Sequence, residues 1–156
     1  MSIVHVREYL EQFNADQRVM EFEVSSATVE LAAQALNCEP CRIAKTLSFM
    51  VGEQPILIVA AGDCRIDNRK FKETFAAKAK MMTAEELDRF TGLQFGGVCP
   101  FGIPENVTIY LDESLRRFET VYPACGSSNS AIEVTLPELE QFSRAKAWVN
   151  VGKDPV

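Results

Sequence analysis

A continuous apolar segment, Ile56-Leu57-Ile58-Val59-Ala60-Ala61, constrains the fold more than any other part of the sequence. Six apolar residues without polar alternation predict a strand that is buried on both faces. A turn, Gly52-Glu53-Gln54-Pro55, precedes it, and residues 41–51 before that turn begin as a short turn and then alternate as a strand does. We therefore expect a β-hairpin whose second strand has no solvent-facing side.

Helical and strand-like patterns are mixed along the rest of the chain. The apolar spacing and capping residues predict helices over residues 3–14, 28–36, 68–77 and 83–91 and from Thr135 onward. Short strands are predicted at residues 20–24, 79–82, 107–112, 120–122, 131–134 and 148–151. This mixture, with several hairpin-length connections, predicts an α+β fold with one mixed sheet. A length of 156 residues predicts a single domain over residues 1–156.

Charge is distributed unevenly along the chain. The net charge is −6, yet residues 41–80 hold eight basic and four acidic side chains. A basic region in an acidic chain favours an anionic partner on one face, although a solvated helix surface gives the same pattern. The sequence has no apolar run of membrane-spanning length, and residues 1–7 do not resemble a secretory signal. We therefore expect no membrane partner and a cytoplasmic location.

The cysteines predict reduced thiols. There are five of them, an odd number, without a signal peptide. Cys38-Glu39-Pro40-Cys41 has the C-x-x-C spacing, but His5 is the one histidine, and zinc would need a second pair of ligands. We expect no metal, and we interpret Cys38 and Cys41 as two thiols in a turn after a helix. A thiol-based redox role for this pair stays open.

A glycine- and proline-rich loop is the strongest candidate for a binding site. Gly96-Gly97-Val98-Cys99-Pro100-Phe101-Gly102 has bare backbone that can aim N–H groups at a ligand oxygen, although such clusters also simply turn corners. Lys45 enters a strand from a turn and offers a point charge for a carboxylate, a phosphate or an oxyanion; a surface lysine is the alternative. Cys99 lacks a neighbouring base to activate its thiol.

Four segments together resemble the YbaK/prolyl-tRNA-synthetase-associated editing-domain family. Ala44-Lys45-Thr46-Leu47 resembles the lysine motif of that family, and residues 59–70 resemble its strand, loop and basic helix. Residues 91–102 are similar to its G-x-x-x-P loop, and residues 110–134 to its closing strands. The resemblance implies a mixed, strongly curved sheet surrounded by helices. It also implies an aminoacyl-tRNA deacylase that needs no protein nucleophile, metal or cofactor.

The resemblance assigns roles to particular residues. It implies that Lys45 and the backbone of Gly96, Gly97, Pro100 and Gly102 act in catalysis, with water or a group of the substrate attacking the ester. It further implies contacts to the substrate from Thr46, Asp63, Arg65, Asp67, Lys70, Val98, Cys99, Asp112, Gly126, Ser127 and Ser128. The implied partner is the acceptor end of an aminoacylated tRNA, with an aminoacyl-tRNA synthetase as a second partner and no DNA.

One departure bears on the amino acid that is removed. Family members that act on cysteinyl-tRNA carry basic residues and a following acid in the last small-residue loop, whereas residues 126–131 here are uncharged. Cysteine is therefore in doubt, and a small residue such as alanine suits this loop equally well. A non-catalytic module that binds an aminoacyl or nucleotide ligand, or that accompanies a synthetase, is the alternative function.

Overall fold

The computed structural model describes residues 2–153, and the predicted hairpin lies at its centre. Strand β2 (Ile43–Val51) pairs antiparallel with β3 (Gln54–Ala61) over eight positions, from Ala44↔Ala61 to Val51↔Gln54. Residues 56–61 of β3 are at most 2% exposed, which confirms the prediction of a strand buried on both faces. The predicted domain over residues 1–156 includes Met1 and residues 154–156, which lie outside the described residues.

Within the described residues, the hairpin forms the middle of a six-stranded sheet. The order is β8–β6–β2–β3–β5–β9, with parallel pairs β6–β2, β3–β5 and β5–β9 and an antiparallel pair β6–β8. The further strands of this sheet are β5 (Thr108–Asp112), β6 (Thr120–Pro123), β8 (Val134–Thr135) and β9 (Ala147–Val149). The sheet is mixed and curled, so the predicted α+β class is confirmed.

Two short pairs of strands lie outside the main sheet. They are β1 (Met20–Glu21) with β7 (Ser130–Ala131) and β4 (Arg65–Ile66) with β10 (Gly152–Lys153). The strand predicted at residues 20–24 extends only over Met20–Glu21. At Phe22 the backbone amide still donates to the Asn129 carbonyl at 2.8 Å, but the Phe22 carbonyl accepts from the Asn129 side-chain amide at 2.9 Å instead of from a backbone amide. The strand predicted at 131–134 is likewise split into two, and residues 79–82 form only a bridge from Met81 to Phe49.

Five α-helices cover the sheet within the described part of the chain. Three of the predicted N-caps are confirmed, because the hydroxyls of Thr28, Thr83 and Thr135 accept from the backbone amide three residues on. No helix among the described residues is long and apolar enough to cross a membrane. The helices are α1 (Ile3–Leu10), α2 (Val29–Leu36), α3 (Asn68–Phe75), α4 (Ala84–Thr91) and α5 (Leu136–Ser143).

The burial of β3 on both faces follows from two separate apolar clusters. Leu57 and Val59 belong to the larger cluster, which also contains Val6 and Leu10 of α1. Ile58, on the opposite face, belongs to a second cluster built around Phe49 of β2 and Phe71 of α3. Burial of one such side chain stabilises the fold by about 1.5–3 kcal/mol, so covering both faces holds the hairpin rigidly. The first residues of β2 are fixed by this framework.

Candidate functional site

A pocket of about 150 Å³ lies at the start of β2. Its walls come from the segment before α2, from β2 itself, from the end of β6 and from the loop after α4. Of the residues predicted for the site, four line this pocket: Lys45, Thr46, Gly96 and Val98. Lys45 is the one charged side chain in the described lining, and most of the other lining residues are small or apolar.

Lys45 is held by two backbone carbonyls. Its Nζ donates to the carbonyl of Gly62 at 3.3 Å and to that of Cys64, both in the loop that follows β3. An ammonium group has three N–H donors, so these bonds leave one for a ligand. Burial lowers the pKa of Lys45 below its usual 10.5, while the charges of Cys64 and Asp63 act in the opposite direction. The site therefore places an oriented, partly desolvated cation at the pocket.

Gly62 makes this arrangement possible. A Cβ at position 62 would lie 2.1 Å from the carbonyl oxygen of Pro40 and 2.8 Å from Val29 Cγ1. Because no side chain fits, only glycine lets the loop after β3 pass close to the turn before β2 and turn its carbonyl toward Lys45. Gly62 and Cys64 act through backbone atoms, so the sequence alone gave no signal for their contact with Lys45.

Thr46 contributes an unusual polar atom to the pocket. Its Oγ1 is inaccessible to solvent and is the one buried side-chain N or O atom among the described residues without a hydrogen-bond partner. A buried hydroxyl left unpaired costs about 1–3 kcal/mol. Because this oxygen is inaccessible to solvent, a ligand in the pocket reaches it only after the neighbouring side chains move.

The glycine-rich loop enters the pocket through a tight turn. The amide of Gly97 donates to the carbonyl of Gln94 at 3.0 Å, and Gly96 has φ +92°, which is typical of the third residue of a type II turn. Gly96 approaches Ala27, where an added Cβ would lie 3.1 Å from that of Ala27. Gly97 approaches the backbone of Ser127 equally closely. The two predicted small-residue loops therefore pack against each other.

The remainder of the glycine-rich loop turns away from the pocket. Cys99, Pro100 and Phe101 are buried, and burial raises the pKa of the Cys99 thiol to about 12. The carbonyl of Gly102 lies 3.1 Å from Nε2 of His5 on α1. Gly97, Cys99, Pro100 and Gly102 do not line the pocket, and the roles predicted for them stay predictions.

The second small-residue loop supports the pocket wall from behind. The carbonyl of Ser128 accepts from the amide of Ser26 at 2.6 Å, which fixes the segment before α2. The hydroxyl of Ser127 bonds within its own loop, to Asn129 Oδ1 at 2.9 Å. Gly126 has φ +92° and faces Val6 and Ser2 near α1. Gly126, Ser127 and Ser128 thus lie behind the lining rather than in it.

Four charged residues of the predicted site lie beside the pocket or beyond it. Asp63 forms a bidentate ion pair with Arg117, which holds the pKa of its carboxyl below the usual value. Arg65 is exposed, and its charge acts on Lys45. Asp67 caps α3 through the amides of residues 69 and 70, and Lys70 Nζ donates to the carbonyl of Gly152 at 2.7 Å.

Asp112 is the most deeply buried carboxylate of the predicted set. It is 1% exposed, and its two oxygens accept from the amides of Val151 and Ser114, each at 2.9 Å. It therefore ties the end of β5 to the C-terminal part of the described chain. Within residues 2–153, no group of three or more His, Cys, Asp and Glu side chains is suitably placed to hold a metal ion.

The C-x-x-C cysteines lie in the turn between α2 and β2. Cys38 and Cys41 are both free and partly buried, and burial raises the pKa of each thiol. A thiol with a raised pKa is mostly protonated at neutral pH and is a poor nucleophile. This environment does not favour the redox interpretation.

Sequence reasoning missed several residues of the pocket. The segment Ser26–Val29 forms one wall, and Tyr122 closes the pocket from β6. Met81 and Phe95 also line it, and each is 53% exposed. Small polar residues and isolated apolar residues in loops carry no pattern, so only their exposure and position reveal them.

Comparison with known proteins places this site in context. The sequence profile of the aminoacyl-tRNA editing domain family matches residues 23–142. The uncharacterised protein YwhH of Bacillus subtilis is 54% identical over 155 residues, which cover 99% of each chain. A candidate Cys-tRNA(Pro)/Cys-tRNA(Cys) deacylase of Enterococcus faecalis, EbsC, is 28% identical over 80% of this chain and 79% of its own.

Similarity extends to a larger enzyme and to a solved structure. The proline–tRNA ligase of Aquifex aeolicus is 30% identical over 81% of this chain, which spans 20% of the length of that ligase. The crystal structure of a candidate trans-editing enzyme for prolyl-tRNA synthetase superposes with a TM-score of 0.86. That protein is 28% identical, and the match covers 97% of this chain and 96% of the other.

Proposed function

The chain belongs to the aminoacyl-tRNA editing domain family, whose members hydrolyse the ester of wrongly charged tRNA, and we propose that its pocket at β2 binds the aminoacyl group for this reaction. The observation that carries the proposal is the position of Lys45. A cation fixed by two carbonyls, with one donor left over, faces a small pocket that is otherwise uncharged within the described residues.

Lys45 would orient the ester and stabilise charge that develops on it. As the ester carbonyl is attacked, negative charge accumulates on its oxygen, and a fixed donor in a partly desolvated site stabilises that charge more than water does. The carbonyls of Gly62 and Cys64 hold the ammonium in place before the substrate arrives. Lys45 therefore needs little reorganisation at the moment of reaction.

The backbone of the glycine-rich loop would supply further donors. The amide of Gly97 is already used within the turn, by the carbonyl of Gln94. Among the described residues, no hydrogen bond is formed by the amides of Gly96 and Val98, and both residues line the pocket. These two amides are the better candidates for contacts with the ester or its tetrahedral intermediate.

The attacking group would come from water or from the substrate. The Cys99 thiol is fully buried and has a pKa of about 12, so it offers almost no thiolate at neutral pH. Apart from Lys45, the polar side chains of the lining carry hydroxyls, and the described lining holds no histidine or carboxylate to act as their base. This lining favours positioning of the ester over nucleophilic catalysis by the protein.

The size of the pocket favours a small amino acid. A volume of about 150 Å³ with Ala32, Ala44 and Ala131 in the wall suits a side chain such as that of alanine or cysteine. The names of the Enterococcus and crystal-structure relatives point to tRNA for proline as the nucleic acid. The substrate contact predicted for Thr46 stays a prediction, because its hydroxyl oxygen is inaccessible to solvent.

The tRNA would approach over the basic part of the surface. Arg69 and Lys72 of α3 are exposed, and residues 41–80 carry a net positive charge in an otherwise acidic chain. Lysine and arginine side chains of this kind bind phosphates without reading sequence. Because tRNA is charged and used in the cytoplasm, we expect the protein to act there, with or without a synthetase.

A deacylation panel tests the proposal. Purified protein would be mixed with tRNA for proline that carries labelled proline, alanine, cysteine or serine, with and without prolyl-tRNA synthetase, and loss of the ester would be followed over time. We expect faster loss for alanine or cysteine than for proline. Binding without faster hydrolysis across the panel would instead favour a non-catalytic module, which the net charge of −6 would also suit.

A further inference from the structure

Two large apolar side chains stand exposed at the mouth of the pocket. Among the described residues, five large hydrophobic side chains are exposed, and Met81 and Phe95, each 53% exposed, are the two that line the pocket. The other three are Val4, Val24 and Leu31. Single exposed apolar residues are common on protein surfaces, whereas an apolar pair at the entrance of a pocket indicates a binding surface.

The backbone holds both side chains in these positions. Phe95 is the second residue of the type II turn closed by the bond from Gly97 to Gln94, so it stands at the tip of a tight loop. Met81 is flanked by two backbone bonds to β2, from Met50 N to Lys80 O at 2.8 Å and from Met82 N to Ser48 O at 3.0 Å. Met82 is 3% exposed, so the two methionines face opposite ways. Hydrogen bonds of the backbone therefore fix the segments that carry both exposed side chains.

The chain segment around Met81 is positively charged. Lys78 and Lys80 are both exposed, and residues 74–84 contain no acidic residue. The nearest acids along the chain are Glu85 and Glu86 in the first turn of α4, and the Glu86 carboxylate bonds to the amide of Thr83. This charge complements a phosphodiester chain and would repel a basic peptide.

We propose that Phe95 and Met81 form a stacking platform for the unpaired nucleobase of the terminal nucleotide, the one whose ribose carries the aminoacyl ester. The proposal rests on the proposed function, because it places the amino acid inside the pocket. With the ester at Lys45, the attached nucleoside lies at the entrance, between these two side chains. Aromatic side chains bind unpaired bases by stacking, and the lysines would contact the adjoining phosphates.

Kinetics of matched variants test the platform. The variants Phe95→Ala and Met81→Ala should raise KM for aminoacyl-tRNA, by about 5- to 100-fold for Phe95→Ala, and should change kcat little. The variant Phe95→Trp keeps a stacking surface and should restore a low KM. The control Val4→Ala removes a side chain that is 60% exposed on α1, outside the pocket lining, and should change neither constant. Circular dichroism melting would show that each variant is folded.

A binding measurement separates this proposal from the proposed function. The probe is an acceptor-stem RNA that carries no amino acid and has 2-aminopurine as its terminal base. Stacking quenches the fluorescence of this base, whether or not the protein hydrolyses esters. Wild-type protein and Phe95→Trp should quench the probe, and Phe95→Ala should not. Equal quenching by wild type and Phe95→Ala would overturn the platform, even if deacylation is observed.

Self-association is the competing use of the same two side chains. If sedimentation showed that wild-type protein forms a dimer that Phe95→Ala dissolves, and the variant retained a normal KM, the patch would be a contact between copies and the proposal would be wrong. Absence of hydrolysis by the wild type, with normal quenching of the probe, would instead remove the deacylase function and leave the nucleobase site standing.

Discussion

The two walls of the pocket are built in different ways. The β2 wall lies in a hairpin of eight paired positions and presents the side chains of Lys45 and Thr46. The loop wall, opposite, is the turn around Gly96, which presents backbone amides and holds Phe95 outward. A strand fixes side chains through its neighbours, whereas a glycine turn fixes backbone groups through its own φ angles. Substitutions in the β2 wall should therefore remove side-chain contacts to the substrate, whereas substitutions in the loop wall should displace backbone groups.

The largest effect is expected on the β2 wall. The variant Lys45→Met keeps the length of the side chain but loses the charge, and we expect deacylation to fall by about 10²- to 10³-fold. The melting temperature should change by only a few degrees. Removal of a partly desolvated charge offsets the loss of the donors to Gly62 and Cys64. Single-turnover deacylation and thermal melting measure the two quantities.

The control for this variant is Lys146→Ala, an exposed lysine next to β9 and outside the pocket. It should leave the rate unchanged. Full activity of Lys45→Met would show that the assigned role of Lys45 is wrong.

The next largest effect is expected on the loop wall. Gly96→Ala and Gly52→Ala both place alanine at a positive φ, +92° and +61°, and each should lose about 1–2 kcal/mol of the free energy of unfolding. Only Gly96 is crowded, since its Cβ would lie 3.1 Å from that of Ala27, whereas nothing lies within 4 Å of a Cβ at Gly52. Displacement of the loop should lower the rate by about 10- to 100-fold in Gly96→Ala alone.

Denaturant unfolding and deacylation assays compare these two glycine variants directly. An equal loss of rate in both would mean that lower stability, and not the position of the loop, explains the effect.

A smaller, graded effect is expected from pH. Burial lowers the pKa of Lys45 below 10.5, so the ammonium is present below this lowered pKa and is lost as pH rises through it. Binding of a non-hydrolysable amide analogue of the aminoacylated acceptor stem should weaken over the same alkaline range. Desolvation of the ammonium lowers the free energy of unfolding at pH values below the folded-state pKa, and this cost is relieved as pH rises above that pKa. Calorimetric titration of wild type should show this decline, and Lys45→Met should not.

The smallest effect is expected from Cys99. The variant Cys99→Ala should cost about 1 kcal/mol of stability, because it leaves a small cavity in the core, and should change the rate by less than about twofold. Cys125→Ala is the matched control, since it removes another thiol from the same buried cluster. A selective loss of deacylation in Cys99→Ala would restore a chemical role for its thiol.

Much of the fold could be predicted because its signals are local. The two-sided burial of residues 56–61, the hairpin and the threonine caps all follow from patterns within a dozen residues, and the structure confirms each. Predictions failed where a distant group intervened. Where the strand predicted at residues 20–24 ends, the Phe22 carbonyl accepts from the side chain of Asn129, which lies about a hundred residues away along the chain and is brought there only by folding.

The candidate site shows the same division. Lys45 and the Gly96 turn stand out in the sequence because a lysine at a strand entrance and a glycine-rich loop each have a local pattern, and together they match the editing-domain motifs. The resemblance also implied a substrate contact for Asp112, yet its carboxylate accepts from the amides of Ser114 and Val151 inside the protein. Residue type alone does not distinguish a carboxylate that binds substrate from one that ties together backbone segments.

The sequence by itself determined the hairpin, the helix starts, the turn at Gly96 and the resemblance to an editing domain, because each depends on residue order over a short range. The tertiary structure decided which of the predicted residues share a pocket. It turned the carbonyls of Gly62 and Cys64 toward Lys45, left Thr46 Oγ1 unpaired, and placed Met81 and Phe95 at one entrance. These are contacts between segments far apart in the chain, and they exist only after the sheet has closed.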